Sequence, residues 1–180
     1  VSTGAKHSII NAVMSVINEG DEVLLPAPYW VSYPTMVEYA GGQVKAVPTT
    51  LAKGYKPSAE DIEKQITSKT KLLIFSNPTN PSGSLWSKEE LESIAIMLNK
   101  YPEILIISDE IYEKINYVGK HTSFATLPGM KERTATVNGL AKGYAMTGWR
   151  IGYLAGPAWW VQACEKCQGL FTSGANSVAQ

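Results

Sequence analysis

Leu72-Leu73-Ile74-Phe75, then Lys88-Glu89-Glu90-Leu91-Glu92-Ser93-Ile94-Ala95-Ile96-Met97-Leu98-Asn99-Lys100, then Leu105-Ile106-Ile107-Ser108 read as a strand, a helix and a second strand. The two short blocks are apolar at consecutive positions. Both faces of each strand must therefore be covered, as in a buried parallel sheet. Between them Leu91, Ile94, Ala95 and Leu98 recur at three and four residues and build one apolar stripe. Ser87 stands before Lys88-Glu89-Glu90, an N-cap followed by acids that suit the positive end of the helix dipole.

The same alternation extends in both directions. Strands are expected at Glu22–Leu25, Val44–Val47, Thr134–Val137 and Gly152–Ala155. Helices are expected at about Ala5–Asn18, Tyr33–Ala40, Ser58–Ile66 and Pro157–Gln168. Strands alternating with helices predict an α/β layered domain with a mostly parallel sheet. In such a sheet, ligands collect at the carboxyl ends of the strands. Three polar clusters sit there: Ser76 to Gly83, Ser108-Asp109-Glu110-Ile111-Tyr112, and Gly139 to Lys142. They should converge on one crevice.

Composition narrows the function. The 180 residues suit one domain, with 44% apolar and 18% charged residues, a globular balance. Formal net charge is zero, so no basic field argues for nucleic acid or an anionic membrane. No apolar run approaches the roughly 18 residues of a membrane span. No secretory leader is visible, and the chain opens Val-Ser-Thr without a methionine, so a piece of a longer, cytoplasmic protein is expected. Cys164 and Cys167 form a C-x-x-C. No second pair completes a zinc site, and the expected helix is the wrong place for a thioredoxin-like motif, so two small residues on a helix face are expected, and no metal. His7 and His121 look incidental, the latter in a surface loop. No nucleotide-binding glycine motif follows a strand.

The run Gly139-Leu140-Ala141-Lys142-Gly143-Tyr144-Ala145-Met146-Thr147-Gly148-Trp149-Arg150-Ile151-Gly152 carries the chemistry. A lysine among small and apolar residues is expected to lose hydration, which penalises its charged form. A neutral amine is the nucleophile that carbonyl chemistry requires. Arg150 adds a permanent cation with forked donors suited to a phosphate. An amine for an aldehyde beside a guanidinium for a phosphate suggests pyridoxal 5'-phosphate.

Asn80-Pro81-Ser82-Gly83, Asp109-Glu110-Ile111-Tyr112 and Gly139 to Gly152 resemble, in order and spacing, the class I pyridoxal-phosphate-dependent aminotransferases of fold type I. The run Tyr144 to Tyr153 looks most like their bacterial aspartate aminotransferase branch. The resemblance covers essentially residues 1–180. It implies a three-layer α/β/α fold with a mostly parallel mixed sheet, a single cofactor-binding large domain, and an N-terminal segment and C-terminal small domain outside the chain.

It also implies roles. Lys142 resembles the lysine that holds the cofactor aldehyde and carries a proton. Asp109 matches the carboxylate paired with the pyridine nitrogen, although alone it would more often be a helix N-cap at a strand end. Tyr112 and Asn80 match donors to the phenolic oxygen; alone, they would be a packing residue and a turn former. Arg150 matches the phosphate arginine, and Gly4-Ala5-Lys6 the phosphate-binding turn at a helix start. Trp30 matches the ring-stacking aromatic, and with Asn80 it also borders the substrate. One departure is visible: some members place a hydroxyl residue three positions before the lysine, where this chain has Gly139.

The resemblance implies amino transfer between an amino acid, aspartate or glutamate first, and a 2-oxo acid such as 2-oxoglutarate, by a homodimer. The same residues also fit a pyridoxal-phosphate lyase of the carbon–sulfur lyase or aminocyclopropane-carboxylate synthase type, or an inert isolated domain. With the substrate-carboxylate arginine and a partner tyrosine outside the chain, the 180 residues alone should bind cofactor weakly and turn over slowly.

Overall fold

The computed structural model describes residues 1–180. Seven strands form one sheet: β1 (Ser2–Thr3), β2 (Glu22–Pro26), β3 (Gln43–Val47), β4 (Thr70–Ser76), β5 (Leu105–Asp109), β6 (Thr134–Gly139) and β7 (Ile151–Ala155). Their spatial order is β1-β7-β6-β5-β4-β2-β3. The five strands β2 to β6 run parallel, and β7 is antiparallel to both β6 and β1. Five α-helices cover the sheet: α1 (Ala5–Met14), α2 (Ser32–Tyr39), α3 (Ala59–Glu63), α4 (Lys88–Leu98) and α5 (Ala158–Phe171).

Period-two alternation divides the interior into two layers. Leu72 and Ile74 of β4 face a core built with Ile9 and Val13 of α1, Val37 of α2 and Trp160 of α5. Leu73 and Phe75 face the other core, with Ile62 of α3 and Leu91, Ile94 and Leu98 of α4. All these side chains are buried. That is the three-layer mixed α/β/α arrangement expected from the sequence.

The expected cap of α4 is present as a reciprocal pair. Glu90 N donates to Ser87 Oγ at 3.2 Å, and Ser87 N donates to the Glu90 carboxylate at 2.7 Å. Ser87→Ala removes one half of this box and should cost about 1 kcal/mol. Thermal unfolding should register a lower midpoint; an unchanged midpoint would show that the cap contributes nothing.

Several boundaries differ from the sequence expectation. The first helix ends at Met14, with Ser15 as its C-cap, four residues before the expected Asn18. The third spans only Ala59–Glu63, and the last runs on to Phe171. Strand β1 was not expected, because two residues carry no periodicity. No helix is long and apolar enough to cross a membrane. Cys164 and Cys167 are free and lie on α5, as expected, and burial pushes the Cys164 thiol up to about 11, which keeps it unreactive.

Candidate active site

The carboxyl ends of β2, β4, β5 and β6 and the start of α1 meet around a cavity of about 270 Å3. Eight of the nine residues singled out in the sequence line it: Ala5, Lys6, Trp30, Asn80, Asp109, Tyr112, Lys142 and Arg150. The ninth, Gly4, lies directly behind Arg150.

Asp109 ends β5 and is buried. Its Oδ2 accepts from Tyr33 Oη at 2.7 Å, and its Oδ1 from the Ile111 amide at 3.2 Å. Burial pushes this carboxyl up to about 6, against the two hydrogen bonds that hold it down; neighbouring Glu110 adds a smaller upward push. Burial, then the Asp109 charge, raises Tyr33 well above the ordinary tyrosine range, so Tyr33 is a neutral donor. No lysine, arginine or histidine pairs with Asp109.

The segment after β4 is pinned by its own polar groups. Asn77 Oδ1 accepts from the Trp86 amide at 3.0 Å, and Ser76 Oγ accepts from the Asn80 amide at 3.1 Å. This directs Asn80 Nδ2 to Tyr112 Oη at 3.1 Å. The tyrosine accepts there, which leaves its own O–H free to donate. Burial raises Tyr112 above its ordinary value, Asp109 adds to this, and the Asn80 bond opposes it.

At the other end of the cavity, α1 begins without a side-chain cap and without an acid in its first turn. The amides of its first residues, Ala5 and Lys6, have no intrahelical acceptor and carry the positive end of the helix dipole. Arg150, held by its bond from Nη1 to Thr147 O at 2.9 Å, lays its guanidinium against the same turn. Gly4 has φ +82°, and a Cβ there would overlap the guanidinium. Two positive groups side by side, with no carboxylate between them, form an anion cradle.

Two placements differ from expectation, those of Lys142 and His121. Lys142 lines the cavity but is exposed. Tyr144 and Trp149, 57% and 53% exposed, point outward and do not cover it. Lys6 carries its amine over the Trp30 ring, 4.8 Å from the centroid, a cation–π contact. His121 is no incidental surface residue: its Nε2 lies 2.9 Å from the buried Glu110 carboxylate. At Gly139 a Cβ would come within 2.7 Å of Ile151 O, so this backbone leaves no room for the hydroxyl residue some relatives place there.

Sequence reasoning missed Tyr33, which is buried, lines the cavity and holds Asp109. The available signal was its spacing, three residues after Trp30 at the start of α2; their rings meet edge to face at 5.4 Å.

The aminotransferase class I and II family model matches residues 1–180. A bifunctional aspartate and glutamate/aspartate-prephenate aminotransferase from Petunia hybrida is 51% identical over the whole chain, which covers 38% of that protein. An aspartate/prephenate aminotransferase from Nitrosomonas europaea is 46% identical, with 46% of it covered. Among solved structures, an aspartate aminotransferase from Thermus thermophilus with maleate superposes with a TM-score of 0.95 at 40% identity, over 99% of this chain and 46% of that one. The Rhizobium meliloti enzyme gives 0.97 at 38% identity, over 99% and 45%. The chain thus spans less than half the length of these relatives.

Proposed function

Because the chain belongs to the aminotransferase class I and II family, we infer that it is the cofactor-binding large domain of an enzyme that moves an amino group between an amino acid and a 2-oxo acid, using pyridoxal 5'-phosphate. The observation that carries this reading is the donor set around one cavity: an amine, a buried carboxylate without a cationic partner, and an anion cradle at the opposite end. These suit an aldehyde, a ring nitrogen and a phosphate on one small molecule.

Bound there, the cofactor supplies an electron sink for charge that develops at the substrate α-carbon. The chain's residues do the rest. Arg150 and the first amides of α1 would hold the phosphate, which suits a guanidinium's forked donors. Asp109 would hold a proton on the ring nitrogen, because a buried carboxylate gains most from a cationic partner. The Tyr112 O–H and the Asn80 amide would orient the phenolic oxygen. Lys142 would hold the aldehyde and, once its amine is released, would move a proton at the substrate α-carbon. Trp30 would border the ring.

Aspartate and glutamate are the preferred amino donors in this reading. Lys6 gives the cavity a cation beyond Lys142 and Arg150, which suits a substrate with a second carboxylate. The names of the Petunia and Nitrosomonas relatives point the same way. We place the enzyme in the cytoplasm, in keeping with its two free thiols. We also read it as a homodimer, for which the exposed Tyr144, Trp149 and Tyr153 offer apolar surface.

The full-length protein, loaded with cofactor and assayed against a panel of amino acids with 2-oxoglutarate, should favour aspartate. Release of ammonia and pyruvate in place of amino transfer would overturn the reading. Arg150→Ala should weaken cofactor binding by about 10- to 100-fold, the range of one or two charge-assisted hydrogen bonds. Titration of the visible absorbance would measure it; unchanged affinity would place the phosphate elsewhere.

A further inference from the structure

The geometry points to Glu110 and His121 as positioning residues that hold the Tyr112 phenol in place for the cofactor. This rests on the functional reading above, in which the cofactor's phenolic oxygen meets Tyr112. Glu110 directly follows Asp109 but faces away from the cavity and is 2% exposed. Four donors converge on its carboxylate. Oε1 accepts from Ser108 Oγ at 2.9 Å, Ser123 Oγ at 2.9 Å and the Phe124 amide at 3.1 Å, and Oε2 lies 2.9 Å from His121 Nε2.

One carboxylate therefore ties the end of β5 to both His121 and Ser123 at the far end of the following loop. Residues 111–123 contain no helix or strand of their own, so few backbone bonds fix their course. Tyr112 sits in this loop, and its bond to Asn80 tolerates only a few tenths of an ångström of drift from 3.1 Å. The loop also backs the lysine turn: a Cβ at Gly143 would come within 2.8 Å of Lys114 Cβ. Glu110, Glu113 and His121 bring ligand-type atoms within 4.8 Å of one another. Both Glu110 oxygens already accept hydrogen bonds, however, so the arrangement is a clasp and not a cation site.

The test uses the full-length protein with His121→Ala, which removes a donor, and His121→Gln, which keeps an N–H for Glu110. Without cofactor, the Asn80 side-chain amide resonances report the Asn80–Tyr112 bond. His121→Ala should move them toward their positions in Tyr112→Phe, and His121→Gln should restore at least about half of the shift, as a retained hydrogen bond would. With cofactor, Tyr112→Phe and His121→Ala should displace the pH midpoint of the visible band in the same direction. The double variant should match Tyr112→Phe alone, because a residue acting through Tyr112 has nothing left to act on.

Unmoved Asn80 resonances in His121→Ala, or a midpoint shift that persists undiminished in the Tyr112→Phe background, would overturn the assignment. If His121→Ala does not fold, Ser123→Ala removes a different donor from the same carboxylate and is read identically. A parent protein that gives no visible band with pyridoxal phosphate would refute the functional reading, and the Asn80 resonances would still decide whether the clasp holds Tyr112.

Discussion

Asn in place of Asp109 is expected to make the cofactor-free protein more stable at pH 8 by about 3 kcal/mol, and to leave it unchanged below about pH 4. The sign follows from the direction of the shift. Burial raises the Asp109 carboxyl from its ordinary value of 3.8 to about 6, so the fold disfavours the ionised form. The native protein is favoured while the group is protonated and loses that advantage as pH rises from about 4 to about 6. Asn has no charge to bury, and its side-chain oxygen can still accept from Tyr33 and Ile111. Urea unfolding at the two pH values measures the difference. Asn variants that are equally or less stable at pH 8 would show that Asp109 carries no buried-charge penalty. With cofactor bound the effect should reverse. Loss of a charge partner at a buried site typically costs about 3–5 kcal/mol, which would weaken binding by about 150- to 5,000-fold. Stability surrendered by the free protein and recovered on binding is the expected mark of a site built for a cationic partner.

Lys142→Ala is expected to abolish covalent attachment of the cofactor and to lower turnover by about 10³-fold or more, since the group that moves the proton is gone. It should do so without loss of stability. Lys142 is exposed and makes no ion pair, and substitutions at such positions usually change stability by less than about 0.5 kcal/mol. Retained activity would contradict the role given to the amine, and a variant that unfolds would contradict the expected unchanged stability. The contrast with Asp109 is diagnostic: one residue is costly to the fold and the other is not, although both face the same cavity.

Much of this site was legible because its residues sit where topology alone sends them. Asn80 and Asp109 follow apolar runs that are unmistakable, Lys142 follows the more polar β6, and parallel strands deliver their carboxyl ends to one edge. Gly4 to Lys6 joins them because β1, though only two residues long, pairs with β7 and starts α1 at the same edge. The exposure of Lys142 was not legible, since local composition does not reveal which way side chains point: Tyr144 and Trp149 turn outward. Tyr33 was missed because a phenol in an apolar helix stripe looks like core, and only the tertiary fold brings it to a carboxylate 76 residues away. Glu110 and His121 escaped for the same reason. Their bond spans a loop without periodicity, and a histidine between Lys120 and Thr122 reads as solvated until the buried carboxylate is seen beside it.

The claim on which the rest depends is that Lys142, rather than Lys6, the other cavity lysine, holds the cofactor aldehyde. Borohydride reduction of the cofactor-loaded full-length protein, followed by peptide mass mapping, separates the two. The expected result is a phosphopyridoxyl adduct confined to the peptide that carries Lys142, and none in Lys142→Ala. An adduct on the Lys6 peptide, or one that persists undiminished in Lys142→Ala, would contradict it.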